Sequence, residues 1–519
     1  MIRNRPLPAL AVAAVLLLSA CGGTSADQGG ATGEPVAGGT ARVIQINEPR
    51  SLDPAIMGNA WAFNAVLGNA IYGTLMVNDP KTGKIEYKLA ESMVTEDGGA
   101  TFELTLREGL TFSDGSPFNA EAVKFNWDRI KDPATGSAAS NIQEASLAKT
   151  TEVVDARTLK ITMVEPIPNY AQALVSSSLN WIASPTALRA GQRAFDAKPV
   201  GAGPFTVESW TRQDSIELVK NPKYWDAPKP YLDRITLRSI NDSTQRINTL
   251  TSGGADVAVD TNWATMATAR DAGFAVDTMP LNGGQYLAMN ARRAPFDDVR
   301  ARQAVAAALD LRAMDTTVYN GKGSLVPTLF TDSSPFHSGQ QLVKTDKAAA
   351  QRLFDELAAE GNPVSFTFKS YPSPESKAVA ESVQAQLSTF RNVEVRVEIV
   401  DHTEVASLHA SHDFDMLISS AFFIDPEPRL WTVFHGDSRG NVTGIDDEQL
   451  NAALQQGRES TSEQERKAAY ERVQQRLAEI VPGIFYTRSA ASAVSADNVG
   501  GVVQYGYGSL LPEELWIQP

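Results

Sequence analysis

Thr101-Phe102-Glu103-Leu104-Thr105-Leu106-Arg107-Glu108-Gly109-Leu110-Thr111-Phe112-Ser113-Asp114-Gly115 reads as a strand that runs into a turn. In residues 101–107, apolar and polar side chains alternate with the period of an extended chain that buries one face. Asp114-Gly115 is a turn dipeptide placed between this apolar strand and a helix. Asn119 stands where a side chain caps that helix, and Val123, Trp127 and Ile130 behind it fall on one face. A half-buried strand, a turn and an amphipathic helix in direct succession point to a mixed α/β protein.

The same alternation of strand-like and helical runs continues on both sides. Residues 40–46, 158–163, 215–219 and 234–240 show β-branched alternation. Asp297 is positioned to cap a helix with Val305 and Leu309 inward. Thr345 begins another, with Leu353 and Leu357 on one face and Gly361 at its end. Thr461 with Gln464, or Ser462 with Glu465, forms a capping box. Tyr470, Val473, Leu477 and Ile480 follow at helical spacing, and Pro482 stops the run.

The 519 residues are 43% hydrophobic and 21% charged, enough for about three folding units with buried cores and too apolar for a disordered chain. A single Cys excludes an intramolecular disulfide framework and a Cys-based zinc or iron–sulfur site. Lys and Arg total 46 against 61 Asp and Glu, a net charge of −15. Nucleic-acid binding requires a dense basic surface, so nucleic acid is excluded as a partner. No cofactor or metal is implied.

The amino terminus fixes the expected compartment. Arg3 and Arg5 precede ten apolar residues from Ala9 to Leu18, too few to span about 30 Å of hydrocarbon. A basic start, a short apolar core and the small residues Ser19 and Ala20 read as an export signal, residues 1–20. The Leu18-Ser19-Ala20-Cys21 end resembles the bacterial lipoprotein signal. That resemblance implies diacylation of Cys21 and anchoring on the extracytoplasmic face of the cell membrane, at the cell surface or in the periplasm. Residues 21–39, rich in Gly, Ala, Ser and Thr, read as the lipidated Cys and a flexible tether.

Catalytic patterns are few. Gly436-Asp437-Ser438-Arg439-Gly440 matches the nucleophile-elbow pattern of a serine hydrolase, but Asn441-Val442-Thr443-Gly444 continues it as loop where a helix is required. His409 and His412 are three residues apart and read as solvated loop side chains, with nickel or chelate binding as the alternative. Gly321-Lys322-Gly323-Ser324 lacks the first Gly of a phosphate loop. Gly201-Ala202-Gly203 runs into Pro204, which forbids a helix opening onto a pyrophosphate.

Several segments together resemble bacterial solute-binding protein family 5, the dipeptide- and oligopeptide-binding components of ABC importers. They are Leu89-Ala90-Glu91-Ser92 with the stretch quoted at the outset, Pro199-Val200-Gly201-Ala202-Gly203-Pro204-Phe205, Asn221-Pro222-Lys223-Tyr224-Trp225, Leu287-Ala288-Met289-Asn290, and Arg300-Ala301-Arg302-Gln303-Ala304-Val305. The resemblance implies an α/β fold of two lobes that close on a ligand as a hinged trap, with mixed β-sheets and an extra subdomain in the first lobe. Residues 40–66, 190–283 and 488–519 would form that lobe, 67–189 its extension, and 284–487 the second lobe. It further implies a monomer that has no reaction of its own and delivers a small solute, a peptide on family frequency, to permease subunits served by cytoplasmic ATPases.

In peptide-binding members, an Asp shortly before an acidic-Pro pair holds the peptide's amino group. The corresponding stretch is Ser419-Ser420-Ala421-Phe422-Phe423-Ile424-Asp425-Pro426-Glu427-Pro428. Aligning Asp425-Pro426 on that pair places Phe422 at the amine position; aligning Glu427-Pro428 leaves Asp425 as a substitute. Ser420, Ala421, Phe422, Phe423, Asp425, Trp431 and Asn290 are therefore the candidate ligand-binding residues. The aromatic side chains favour an apolar or ring-containing ligand, and opines, oligosaccharides, metal chelates and aromatic compounds stand beside peptides. A cell-surface serine hydrolase using Ser438, or a surface chaperone or adhesion protein, are the rivals from other classes.

Overall fold

The computed structural model describes residues 30–31, 33–58, 61–401 and 404–519. Cys21 and the export signal lie outside the described residues. No helix among those described is long and apolar enough to cross a membrane.

The opening stretch forms the strand Thr101–Leu106, with Phe102, Leu104 and Leu106 buried and Glu103 exposed. The Asp114 carboxylate accepts from the Ser116 amide at 2.8 Å and closes the turn. Asn119 caps the helix Ala120–Lys131 by accepting from the Ala122 amide at 3.0 Å. Val123, Trp127 and Ile130 bury their side chains, as their spacing requires. This helix packs on a four-stranded antiparallel sheet in the order Ala90–Val94, Thr101–Leu106, Thr158–Met163, Ala148–Val153.

Two larger sheets carry the body. The first has seven strands in the order Ala275–Thr278, Ser492–Ser495, Val257–Asp260, Thr40–Gln45, Arg234–Ser239, Ser215–Lys220, Phe205–Thr211. Its centre is parallel, Thr40–Gln45 lying between Arg234–Ser239 and Val257–Asp260, and its edges are antiparallel. The second has five strands in the order Val393–Ile399, Val364–Ser370, Met416–Phe423, Asn282–Met289, Gly483–Thr487, and helices cover it. The seven-stranded sheet with the four-stranded extension makes the first lobe, and the five-stranded sheet the second. The chain passes between them after Thr278 and again after Thr487. These crossovers run side by side, the Met279 amide donating to Ala491 O at 2.9 Å.

Several boundaries differ from those expected of the sequence. The helix Val299–Ala308 is capped by Asp298, not Asp297, because the Asp298 carboxylate meets the Arg300 amide. Asp346, not Thr345, caps Lys347–Ala359; of the two caps expected before Glu463–Ile480, Ser462 is the one used, accepting from the Glu465 amide. Leu67 to Tyr72 belong to the helix Trp61–Tyr72, whose side chains from Ala65 onward pack in the core of the seven-stranded sheet, so the extension begins after Tyr72 rather than at residue 67. The boundary at 283/284 falls inside the strand Asn282–Met289, since Gly283 pairs with Phe422 in the second sheet. Contacts to the body begin before Thr40: the Ala31 amide donates to Val499 O and the Gly38 amide to Tyr231 O.

The motif at Gly201 and Gly203 owes its glycines to a helix end. The Gly203 amide donates to Ile71 O at 2.9 Å, which brings the loop against the last turn of Trp61–Tyr72. A Cβ on Gly201 would stand 2.1 Å from Ile71 O, and one on Gly203 would stand 2.4 Å from Ala70 O. Backbone cannot yield as a side-chain tip can. Gly201→Ala should therefore destabilise the fold by about 1–3 kcal/mol or more in chemical denaturation; an unchanged unfolding midpoint would show that the contact is not tight.

Candidate functional site

In the strand Met416–Phe423, alternate residues face opposite sides of the sheet. Leu417, Ala421 and Phe423 enter one core, where the Phe423 ring meets Phe330 edge-on at 5.4 Å. Ile418, Ser420 and Phe422 turn the other way and line a cavity of about 570 Å³. The cavity wall is completed by Gln143 from the extension of the first lobe, by Tyr371, Glu375 and His409, and by Arg429 and Arg439. Phe422 packs with Met279 and Leu281 from the crossover and with Tyr507 from the first lobe, only 4% exposed. This volume suits one small organic ligand.

The structure separates the sequence candidates into two groups. Ser420 and Phe422 line the cavity. Ala421 and Phe423 face the core, as strand alternation dictates once Phe422 points outward. Asn290 is buried away from the cavity, its amide nitrogen donating to His412 O at 2.9 Å and Phe414 O at 2.8 Å. Trp431 already has ring partners: the His435 ring stacks on it at 4.5 Å and the Arg458 guanidinium lies 4.0 Å from its centroid. Its indole nitrogen donates to Gln455 at 2.9 Å. Asp425 is held in a two-point ion pair by Arg466, at 2.6 and 3.1 Å. Both carboxylate oxygens are thus engaged by a guanidinium.

Sequence reasoning passed over Arg429, Arg439, Tyr371, Glu375 and Gln143. Arg429 directly follows the Glu427-Pro428 pair and was within reach of that reading; the others come from distant segments with no shared pattern. The Arg429 Nη2 donates to Ser420 O at 2.7 Å. Among the described residues, no carboxylate lies within 4 Å of either arginine. The carboxylate in the wall, Glu375, accepts from the Tyr319 hydroxyl at 2.7 Å and from Asn262 at 3.1 Å, and burial raises its pKa. His409 is half-buried in the helix Val405–Ser411 rather than solvated in a loop. Tyr371 gives its one hydroxyl proton to Ile418 O, so the contact at 2.9 Å requires His409 Nε2 to donate to the Tyr371 oxygen. Burial lowers the His409 pKa and favours the neutral ring. Among the described residues, no group of three or more potential metal ligands gathers.

Ser438 is not set on an elbow. It lies in the loop after the helix Arg429–Phe434, is buried, and donates its hydroxyl to Thr432 O at 2.6 Å. A nucleophile needs an exposed hydroxyl after a strand.

The lobes meet beside the cavity. Gln143 of the extension donates to Thr432 of the second lobe at 3.0 Å. Arg458, 1% exposed, reaches Glu165 of the extension at 2.7 Å. The same guanidinium approaches Glu427 at 3.1 Å, although neither Glu427 oxygen has a hydrogen-bond partner. Burial pushes Glu427 up to about 8 despite the pull of Arg458, and Glu144, with one buried partnerless oxygen, to about 7.

A family model for bacterial extracellular solute-binding proteins, family 5, matches residues 84–441, more than half of the chain. The glutathione-binding protein GsiB of Salmonella typhimurium is 30% identical over 322 residues, 62% of this chain and 62% of that protein. The chain thus matches less than two thirds of the length of this curated relative. Among solved structures, the binding protein AgaA from A. tumefacien R10 in complex with agropinic acid has a TM-score of 0.80 at 23% identity, covering 93% of this chain and 99% of that one. The ABC transporter-associated binding protein DppA from Helicobacter pylori, in complex with the peptide STSA, has a TM-score of 0.79 at 20% identity, covering 93% and 99%. The two-lobed fold expected of the sequence is the fold of these proteins.

A carboxyl whose folded pKa stands above its unfolded value of about 4.3 stabilises the fold below that value and loses the contribution as pH rises. For Glu427 the loss runs through about pH 8. The melting temperature should fall between pH 5 and 9. Glu427→Gln should flatten part of that fall by on the order of 1 kcal/mol, about 2–4 °C. An identical pH profile in the variant would mean that the buried carboxyl does not carry it.

Proposed function

The chain belongs to the bacterial extracellular solute-binding proteins of family 5, and from that premise we propose that it is the solute-capturing component of an ABC importer. It closes two lobes over a peptide or peptide-like solute and hands it to permease subunits driven by cytoplasmic ATPases. The observation that carries this reading is the cavity of about 570 Å³ on the second sheet, closed on one side by Gln143 of the first lobe. A ligand there touches both lobes, so its binding energy is available to favour the closed form, the form that presents both lobes to a permease together. The glutathione-binding relative and the peptide- and agropinic-acid-bound neighbours support the same class of role.

The protein acts without chemistry of its own: the serine-hydrolase alternative finds no support in the buried, carbonyl-bonded Ser438. Cys21 carries the lipid that holds the body at the extracytoplasmic face of the membrane, a reading supported by the Leu18-Ser19-Ala20-Cys21 sequence.

The protein lacking residues 1–20, purified from cells and denatured, should release a small solute detectable by mass spectrometry. Adding that solute back at one hundred times its Kd should stabilise the fold by about 2.7 kcal/mol and compact it in small-angle scattering. A protein that releases no solute and neither stabilises nor compacts with any member of a peptide and small-acid panel would contradict the reading. Palmitate labelling of the full chain in a bacterial host should be lost in Cys21→Ala; persistent labelling would remove Cys21 as the anchor.

A further inference from the structure

The charges around the cavity are distributed unevenly. Asp425 is paired with Arg466, and Glu427 and Glu165 with Arg458, and none of these lines the cavity. Glu375 does line it, but each of its oxygens already accepts a hydrogen bond from Tyr319 or Asn262. Arg429 and Arg439 face the same space with no carboxylate within 4 Å among the described residues, and Arg429 spends one donor on Ser420 O. Phe422 fills the wall beside Ser420 with an apolar ring.

Resting on the reading of this cleft as the solute site, we infer that its ligand is a small organic acid of peptide-like size whose carboxylate is received by Arg429 and Arg439 and whose nitrogen is substituted, as in an N-acylated or N-alkylated amino acid or dipeptide. A guanidinium presents donors in a planar fork that matches a carboxylate. In a cleft closing around it, an unpaired guanidinium loses hydration, and a ligand carboxylate replaces that loss with charged hydrogen bonds. A free α-ammonium lacks the corresponding receptor: Phe422 offers no acceptor, Arg429 repels it, Asp425 would have to give up Arg466, Glu144 does not line the cavity, and Glu375 is held by Tyr319 and Asn262 and pushed toward its neutral form by burial. Substitution on the nitrogen removes that charge and presents an apolar or amide surface to Phe422 and Ile418.

The test is calorimetric titration of the protein lacking residues 1–20, unfolded, washed free of bound solute and refolded. Three mixtures of the same dipeptides serve as probes: N-acetylated acids, free-amino acids, and N-acetylated C-terminal amides. The N-acetylated acids should bind at least tenfold more tightly than either other mixture. Arg429→Gln should weaken their binding about 10- to 100-fold while the empty protein stays folded and loses no more stability than its hydrogen bond to Ser420 O supplies, Arg439→Gln should weaken it less, and Arg429→Lys should not restore it. Equal or tighter binding of the free-amino mixture, equal binding of the amides, or no binding of any mixture would overturn the inference. The solute-receptor reading falls separately, only if no solute is released from the protein purified from cells and no member of the peptide and small-acid panel stabilises or compacts it.

Discussion

The two-point ion pair between Asp425 and Arg466 governs what the cleft can hold. Arg466 is placed by packing: Tyr470, Val473 and Leu477 press the helix Glu463–Ile480 into the core of the second lobe. That burial sets the helix so that the guanidinium lies 5.1 Å from the Phe336 centroid and 5.7 Å from that of Tyr470. From there it takes both oxygens of Asp425, and the pair is largely shielded from water. Pulling such a carboxylate away to serve a ligand would leave a guanidinium unpaired in an apolar setting, a change of several kcal/mol in buried pairs. An apolar stripe on one helix thereby removes Asp425 from the list of amine receptors, and the wall keeps Arg429 and Arg439 as its cationic side chains.

A second arginine performs a different task. Arg458 sits among Glu427, the Trp431 face and Glu165 of the other lobe. Its contacts within the second lobe hold it in place whether or not the lobes meet; its contact with Glu165 exists only when they do. The charge balance is imperfect, since Glu427 is close to Arg458 without hydrogen-bond geometry and is pushed toward its neutral form. Closure beside the cavity thus combines polar contacts, Gln143 with Thr432 and Glu165 with Arg458, with the apolar packing of Phe422 and Tyr507. A ligand spanning both walls can then tip the balance between open and closed.

The fold was legible because its markers are local. The strand, turn and capped helix of residues 101–131 follow from alternation, a turn dipeptide and one Asn, and each was realised where the sequence put it. The motif around Gly201 and Gly203 was legible as a close approach, though its partner, the carbonyls at the end of Trp61–Tyr72, was not. The site was only partly legible. Strand alternation requires Phe422 and Phe423 to face opposite sides, but not which faces the cavity; the neighbouring sheet strand and Phe330 decide that. Trp431 read as an open aromatic face, yet Arg458 and His435, which cover it, come from a later helix and from the end of its own. Asp425 read as a free acid because its partner is 41 residues away. Arg429 stood beside the quoted stretch and carried no pattern to mark it, since an arginine's role depends on whether a carboxylate comes near it in space.

The decisive measurement is a crystal structure of the protein with its natural solute bound. The ligand carboxylate should lie on the Arg429 guanidinium and the body of the ligand against Phe422, with Asp425 still paired with Arg466. A ligand ammonium on Asp425, with Arg466 displaced and Arg429 left without an anion, would contradict this arrangement.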